Sequence, residues 1–279
     1  MTGGSMKRWR ESAWLVVALP SLAIIVALFF VPFLRSAVTS FTDKAGDWTL
    51  QNYATVWRLY AEDILFTIFV SAVSLVIVLI IAVLVSGFIR IYGGGLVEFL
   101  FKIPLFVPFV VVGHAMRVFL APHGLLNSAL AQVGLVNLDN PPSLITLFGA
   151  GIIISLAWKN MALAILLTLG AFQSVGDTFL EAARNFGAGW FRQVKDILLP
   201  MSLTSIAVAA VLIFTSMLAS FSIPMMIGQG EGPQMVMIDV YYRIVQHNDY
   251  GVANALGVVS YLTASGAAIY YLTSVTKKG

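Results

Sequence analysis

The chain contains no cysteine, which excludes disulfides, thiolate metal sites and thiol nucleophiles. That absence is compatible with any compartment. Charge is nearly as scarce: 10% of the 279 residues are Asp, Glu, Lys or Arg, where a soluble domain carries ~25%. The three histidines, at 114, 123 and 247, show no metal-ligand spacing, so no metal site is expected. No Gly-x-x-x-x-Gly-Lys-[Ser/Thr] loop is present to cradle ATP phosphates. A Gly-x-Ser-x-Gly elbow and a His/Asp/Glu cluster are missing too, so no catalytic residue is expected and an intramembrane enzyme is disfavoured. The apolar stretches hold no carboxylate beyond Glu98 near one edge, which argues against a secondary transporter driven by an ion gradient.

What the chain does have is apolar length. Hydrophobic residues make up 59%, and the mean hydropathy is +0.91. A membrane helix needs ~20 mostly apolar residues. Six segments qualify, at about 13–34, 64–89, 99–119, 144–172, 203–226 and 252–275, so the fold class expected is an all-α polytopic membrane protein. The third is the weakest, since it carries Lys102, His114 and Arg117, and Pro104 and Pro108 would kink it unless neighbours satisfy the freed carbonyls. The first follows Lys7, Arg8 and Arg10 like a signal peptide, but its apolar run is too long and lacks a small-x-small cleavage site. It is read as a retained helix. No low-complexity region, short-period repeat or second domain interrupts residues 1–279, which are read as one transmembrane domain.

Even numbers of spans place both termini on one side. With that side cytoplasmic, Lys7, Arg8, Arg10, Arg90, Lys102, Arg184, Arg192, Lys195, Lys277 and Lys278 lie inside. Arg35, Lys44, Arg58, Arg117 and Arg243 lie outside, and Lys159 sits within a span. Ten against five satisfies the positive-inside rule. The small net charge of +3 follows from this topology and is not read as nucleic-acid binding. The outer stretches 35–63 and 228–251 are polar and aromatic, suited to interfacial anchoring in lipid or to docking an extracytoplasmic partner.

The cytoplasmic stretch 177–200 has a design of its own. Thr178-Phe-Leu-Glu181 has the form of a capping box, with Asp177 favoured by the helix dipole. The short helix it opens presents Phe179, Leu180, Ala182, Ala183 and Phe186. Gly187 is placed to end that helix in a left-handed conformation, and Ala188-Gly189 turns the chain into a second helix from about Trp190 to Leu198. Pro200 is expected to stop it. Small residues at 182, 183, 187, 188 and 189 allow another protein to approach closely; the alternative is an amphipathic connector lying on the membrane.

The string Glu181-Ala182-Ala183, then Gly187 and Ala188, then Ile197, Leu199 and Pro200, resembles the EAA motif of type I ABC importer permeases. Trp158-Lys159-Asn160, Gln173-Ser174-Val175, Gly124-Leu125-Leu126-Asn127, and Pro32 followed by Ser40-Phe41 resemble the same family, so the likeness covers most of the chain. Two departures stand out. Phe186 occupies the position usually held by Asp, and the second proline often found after Leu-Pro is absent near Thr204.

The resemblance implies a bacterial inner-membrane permease whose EAA segment is a coupling helix seated in a groove of a cytoplasmic ATP-binding subunit. It implies two such subunits, which bind ATP and magnesium, a second permease subunit and an extracytoplasmic solute-binding protein. This chain would carry no cofactor. Glu181 would make the polar contact, Ala182, Ala183 and Gly187 the close-packed surface, and Pro200 the link to the next span, with Ala188 and Ile197 among the coupling residues. The overall look leans towards permeases for polyamines and similar small solutes, with carbohydrate permeases nearly as close.

Lys159 lies mid-span, where a cation costs ~2.5–3.5 kcal/mol on the insertion scale and must find water or a partner. It is read either as a translocation-path residue or as a lysine bonded to helix carbonyls or a neighbouring subunit. Because Trp-Lys-Asn resembles a feature shared across substrates, the second is preferred, and Asn160 is treated alike. Arg117 is explained by snorkelling, His114 by packing, and Met217, Met225, Met226, Met235 and Met237 by packing.

Overall fold

A computed structural model describes residues 19–145, 147–228 and 232–276. Lys7, Arg8, Arg10, the start of the first expected span, Gln229 to Glu231, Lys277 and Lys278 lie outside the described residues. Among the described residues the regular elements are helices joined by turns and loops, apart from an isolated antiparallel bridge between Thr42 and Trp48. Four helices among the described residues are long and apolar enough to cross a membrane, or five if one bent pair forms a single span.

In chain order the helices are α1 (Leu19–Thr39), α2 (Gln51–Tyr92), α3 (Gly95–Phe106), α4 (Phe109–Leu120), α5 (Leu125–Gln132) and α6 (Ala150–Gln173). There follow α7 (Asp177–Asn185), α8 (Trp190–Met201), α9 (Leu203–Leu218), α10 (Ser222–Ile227), α11 (Val236–Val245) and α12 (Tyr250–Thr276). The segment expected to cross at 99–119 is two helices, α3 and α4, parted at Val107-Pro108. Although α3 carries Pro104 in its interior, Val107 takes an extended conformation (φ −89°, ψ 122°) ahead of Pro108, whose ring disfavours the helical region for the residue before it and which supplies no N–H.

The described residues form two compact units. The smaller joins the chain up to Leu59 with Tyr242–Val258. Its polar contacts centre on Asn52, whose side-chain amide donates to the Ser40 carbonyl at 3.0 Å and the Thr42 carbonyl at 2.9 Å. Ser36 Oγ donates to Asn254 Oδ1 at 2.7 Å. The Asp43 carboxylate accepts from the Ala45 and Asp47 amides and shapes a tight turn that leaves Trp48 exposed.

The larger unit holds Tyr60–Tyr241 and the chain from Val259 onward. Its core collects Val70 and Val78 of α2, Ile152, Leu156 and Ile165 of α6, Ile213 and Met217 of α9, and Ile223 and Ile227 of α10. Helix α6 is the most buried of the candidate spans, and the residues it buries include Gly151, Ser155, Ala157, Ala162, Ala164 and Ala171. Without water to drive helices together, close backbone approach through such small residues supplies the packing. A second, smaller core of Ala171, Phe172, Val175, Leu180, Val194, Leu198 and Ile206 lies under α7 and α8.

Candidate functional site

The stretch following α6 builds a knob of two short helices. Helix α7 starts at Asp177 behind Gly176, which makes no side-chain cap. The expected Thr178–Glu181 capping box therefore does not form; Gly176 leaves the capping position without a hydroxyl, and Thr178 falls inside the helix. Leu180 alone of α7 is buried, and it seals the helix onto the smaller core beside Phe172 and Val194. Burial of one such leucine is worth about 1.5–3 kcal/mol, enough to hold a two-turn helix that would not persist alone.

The end of α7 follows the expectation for Gly187. Its φ is +78°, the Gly187 N–H donates to Arg184 O at 2.9 Å, and the Ala188 N–H donates to Ala183 O at 2.9 Å. These two bonds are the Schellman pattern, which satisfies carbonyls the helix end would leave bare. Gln193, buried within α8, donates to Ala188 O at 2.8 Å and pins the turn from the other side.

Helix α8 departs from the sequence reading. Pro200 does not stop it; the helix runs to Met201, with a π turn over Val194–Leu198 in which the Leu199 N–H reaches Val194 O. Pro200 carries no N–H, so the chain ahead of it widens by one residue rather than leave a normal turn. The break comes at Ser202 (φ −105°, ψ 6°), where α8 and α9 meet at 80°.

The outward face of the knob holds Glu181, Ala182, Gly187 and Pro200 exposed, with Ala183, Ala188 and Ile197 half-buried. Phe186 stands 89% exposed at its tip, flanked by exposed Phe179 and Phe191. Three phenylalanines are thus bared on the two helices that also expose Glu181 and small residues.

Sequence alone presents Arg90 as one more inside charge; the structure gives it a larger part. At the end of α2 its Nε donates to Phe172 O at 3.1 Å and its Nη2 to Val175 O at 2.9 Å and to Asp177 Oδ1 at 2.6 Å. The signal that could have found it is an arginine ending a long apolar helix opposite an acid that opens another.

Lys159 is 8% exposed and its ammonium donates to Pro104 O at 2.8 Å and Val107 O at 2.6 Å, with the Phe109 ring 4.7 Å away. Those carbonyls belong to the break between α3 and α4, where Pro108 has no N–H to offer Pro104. Asn160 is buried and donates to Leu156 O within its own helix at 2.9 Å. Arg117 is exposed and reaches Met226 O at 3.5 Å; His114 is exposed. The structure does not bring Arg117 to Lys159 through any hydrogen bond, and neither contacts the knob by one.

Residues 79–276 match the family model described as "Binding-protein-dependent transport system inner membrane component". The chain is 25% identical over 270 residues to the spermidine/putrescine transport system permease protein PotB of Haemophilus influenzae, covering 93% of this chain and 90% of that one. It is 26% identical over 280 residues to the diacetylchitobiose uptake system permease protein NgcF of Streptomyces coelicolor, covering 91% and 79%. The fold matches a chain of a bacterial alginate ABC transporter, solved in complex with an alginate pentasaccharide-bound periplasmic protein, at a TM-score of 0.78 and 20% identity over 95% of this chain and 94% of that one. The chain thus belongs to the inner membrane components of binding-protein-dependent transport systems: it is a non-catalytic, multi-pass ABC importer permease, and the ATP is bound by a separate subunit.

Proposed function

We propose that this permease carries a polyamine or a similar small solute, received from the binding protein on the outer face, and that the Glu181–Pro200 knob is its coupling element. The observation that carries the coupling reading is the exposure of Glu181, Ala182, Gly187 and the Phe179, Phe186 and Phe191 rings on a knob whose inner side is firmly packed. A surface of this kind is stable in the cytoplasm when a partner covers it. Two ATP-binding subunits would each receive one such knob from a pair of permeases, this chain with a copy or a homologue. ATP binding then biases a two-state pair of membrane subunits. The ten-to-five balance of basic residues supports both termini lying in the cytoplasm.

Lys159 and Asn160, with Arg117, are the candidate translocation-path residues. The carbonyl partners of Lys159 favour a structural role for it, fastening the α3–α4 break to α6.

The polyamine reading is supported by the end-to-end likeness to PotB. A second reading, a carbohydrate, is favoured by the likeness to NgcF, a diacetylchitobiose permease, over 91% of this chain. The test is uptake into vesicles bearing the complete importer, with labelled spermidine, putrescine and diacetylchitobiose supplied singly. ATP-dependent accumulation of a polyamine alone is expected. Accumulation of the saccharide alone would replace the polyamine reading with the carbohydrate one.

A further inference from the structure

Arg90 is held in a way that a surface charge does not require. Its side chain is only 16% exposed, whereas Asp177, its ion-pair partner, is 73% exposed. Its other two hydrogen bonds go to the carbonyls of Phe172 and Val175, where α6 ends and the chain turns towards α7. One guanidinium therefore joins the end of α2, the end of α6 and the first residue of α7. Arginine suits such a junction because its planar fork offers several donors in fixed directions, and bonds from a charged donor are short and strong. The Phe172 carbonyl lies in the last turn of α6, where it also accepts the Val175 N–H at 3.3 Å, and the Val175 carbonyl lies just beyond that turn, so the guanidinium reinforces a helix end whose backbone bonds are few.

One turn earlier on α2, Gly87 continues the same attachment. A Cβ there would collide with the Val194 side chain of α8, so α2 and the second helix of the knob touch backbone to side chain. Leu79, Val83 and Ile91 of α2 pack on the smaller core that buries Leu180 and Val194. The end of α2 is thus bonded to α7 by Arg90 and seated against α8 by Gly87.

We propose that Arg90 is a positioning residue for coupling: it fixes the α7 knob to the ends of α2 and α6, so that a displacement of the knob moves these two spans with it as one body. This rests on the coupling reading of Glu181–Pro200. Asp177 completes the tie from the knob's side.

The absence of native cysteine permits a paired-label experiment. Nitroxide labels are placed at Ile80→Cys on the exposed flank of α2 and at Arg184→Cys on α7, in the full importer purified with its ATP-binding subunits. The label-to-label distance is measured without nucleotide and after trapping with ATP and vanadate. The wild-type background is expected to give one narrow distance in both states. Arg90→Ala and Asp177→Ala are each expected to lose that narrow distance in both states while retaining the ATP-binding subunits, with Arg90→Lys recovering it only in part. If both alanine variants keep the wild-type distance in both states, the proposal is overturned. Asp177→Ala removes an exposed group and decides the matter alone should Arg90→Ala fail to reach the membrane. Failure of the coupling reading shows differently, as a wild-type permease that purifies without any ATP-binding subunit. The nucleotide-free comparison still decides Arg90 in that case.

Discussion

At the scale of single residues, the chemistry of this permease is a matter of where a few polar groups find partners. Glu181 is exposed on α7 and enters no ion pair among the described residues, so its carboxylate is available to a protein docking on the knob. Glu181→Arg is expected to abolish ATP-driven uptake while the chain still inserts; undiminished uptake, or a chain missing from the membrane, would sink the coupling role. Lys159 poses the opposite case, a buried cation whose donors are spent on Pro104 and Val107. Lys159→Met relieves the burial of charge but takes the ammonium from the Val107 carbonyl, at about 1–3 kcal/mol for a group left unsatisfied, while Pro104 O keeps the Val107 N–H at 3.4 Å. Net destabilisation is expected, seen as a lower melting temperature of the detergent-solubilised permease. An unchanged melting temperature would mean that the carbonyls are satisfied without the lysine.

At the scale of elements, two glycines limit the knob for different reasons. Gly187 has φ +78° and open space around it, so a side chain there meets only backbone strain. Gly187→Ala should cost about 1–2 kcal/mol, confined to the end of α7. Faster tryptic cleavage at Arg184, with the global melting temperature nearly unchanged, is the expected readout. Gly87→Ala instead drives a methyl into Val194, which is buried and β-branched and has little room to turn. Overpacking of this kind costs about 1–3 kcal/mol and should lower the melting temperature itself. Equal melting temperatures for the two variants would mean that α2 and α8 part more readily than their packing indicates. Helix α8 adds a point about proline placement. Read alone, Pro200 is a stop signal, yet the π turn at Val194–Leu198 absorbs the missing N–H and the chain bends two residues later, at Ser202.

At the scale of the molecule, the distribution of charge bears on which face meets the cytoplasm. The positive-inside reading puts ten basic residues inside and five outside, and the knob carries Arg184, Arg192 and Lys195. Cysteines introduced singly at Trp48, on the exposed turn after α1, and at Arg184 should therefore label from opposite sides. In spheroplasts an impermeant maleimide is expected to reach Trp48→Cys directly and Arg184→Cys only after permeabilisation. The reverse pattern would invert the topology and remove the knob from any cytoplasmic ATPase.

Much of this is legible in the residues themselves. Apolar runs of membrane length, scarce charge and the Glu181–Pro200 string are enough for an all-α permease, because bilayer thickness and backbone satisfaction leave a helix few alternatives. Gly187 can be placed in a left-handed helix end because a single residue's φ range decides that. The capping box at Thr178–Glu181 could not be settled locally, since the helix start depends on where Leu180 finds its core. Nor could the partners of Lys159 and Arg90, which lie 52–55 and 82–87 residues away along the chain. Local sequence sets propensity and hydropathy over a turn or two. Which carbonyl a buried cation satisfies is decided only when distant helices pack, because that choice depends on distance and desolvation rather than on neighbours in sequence.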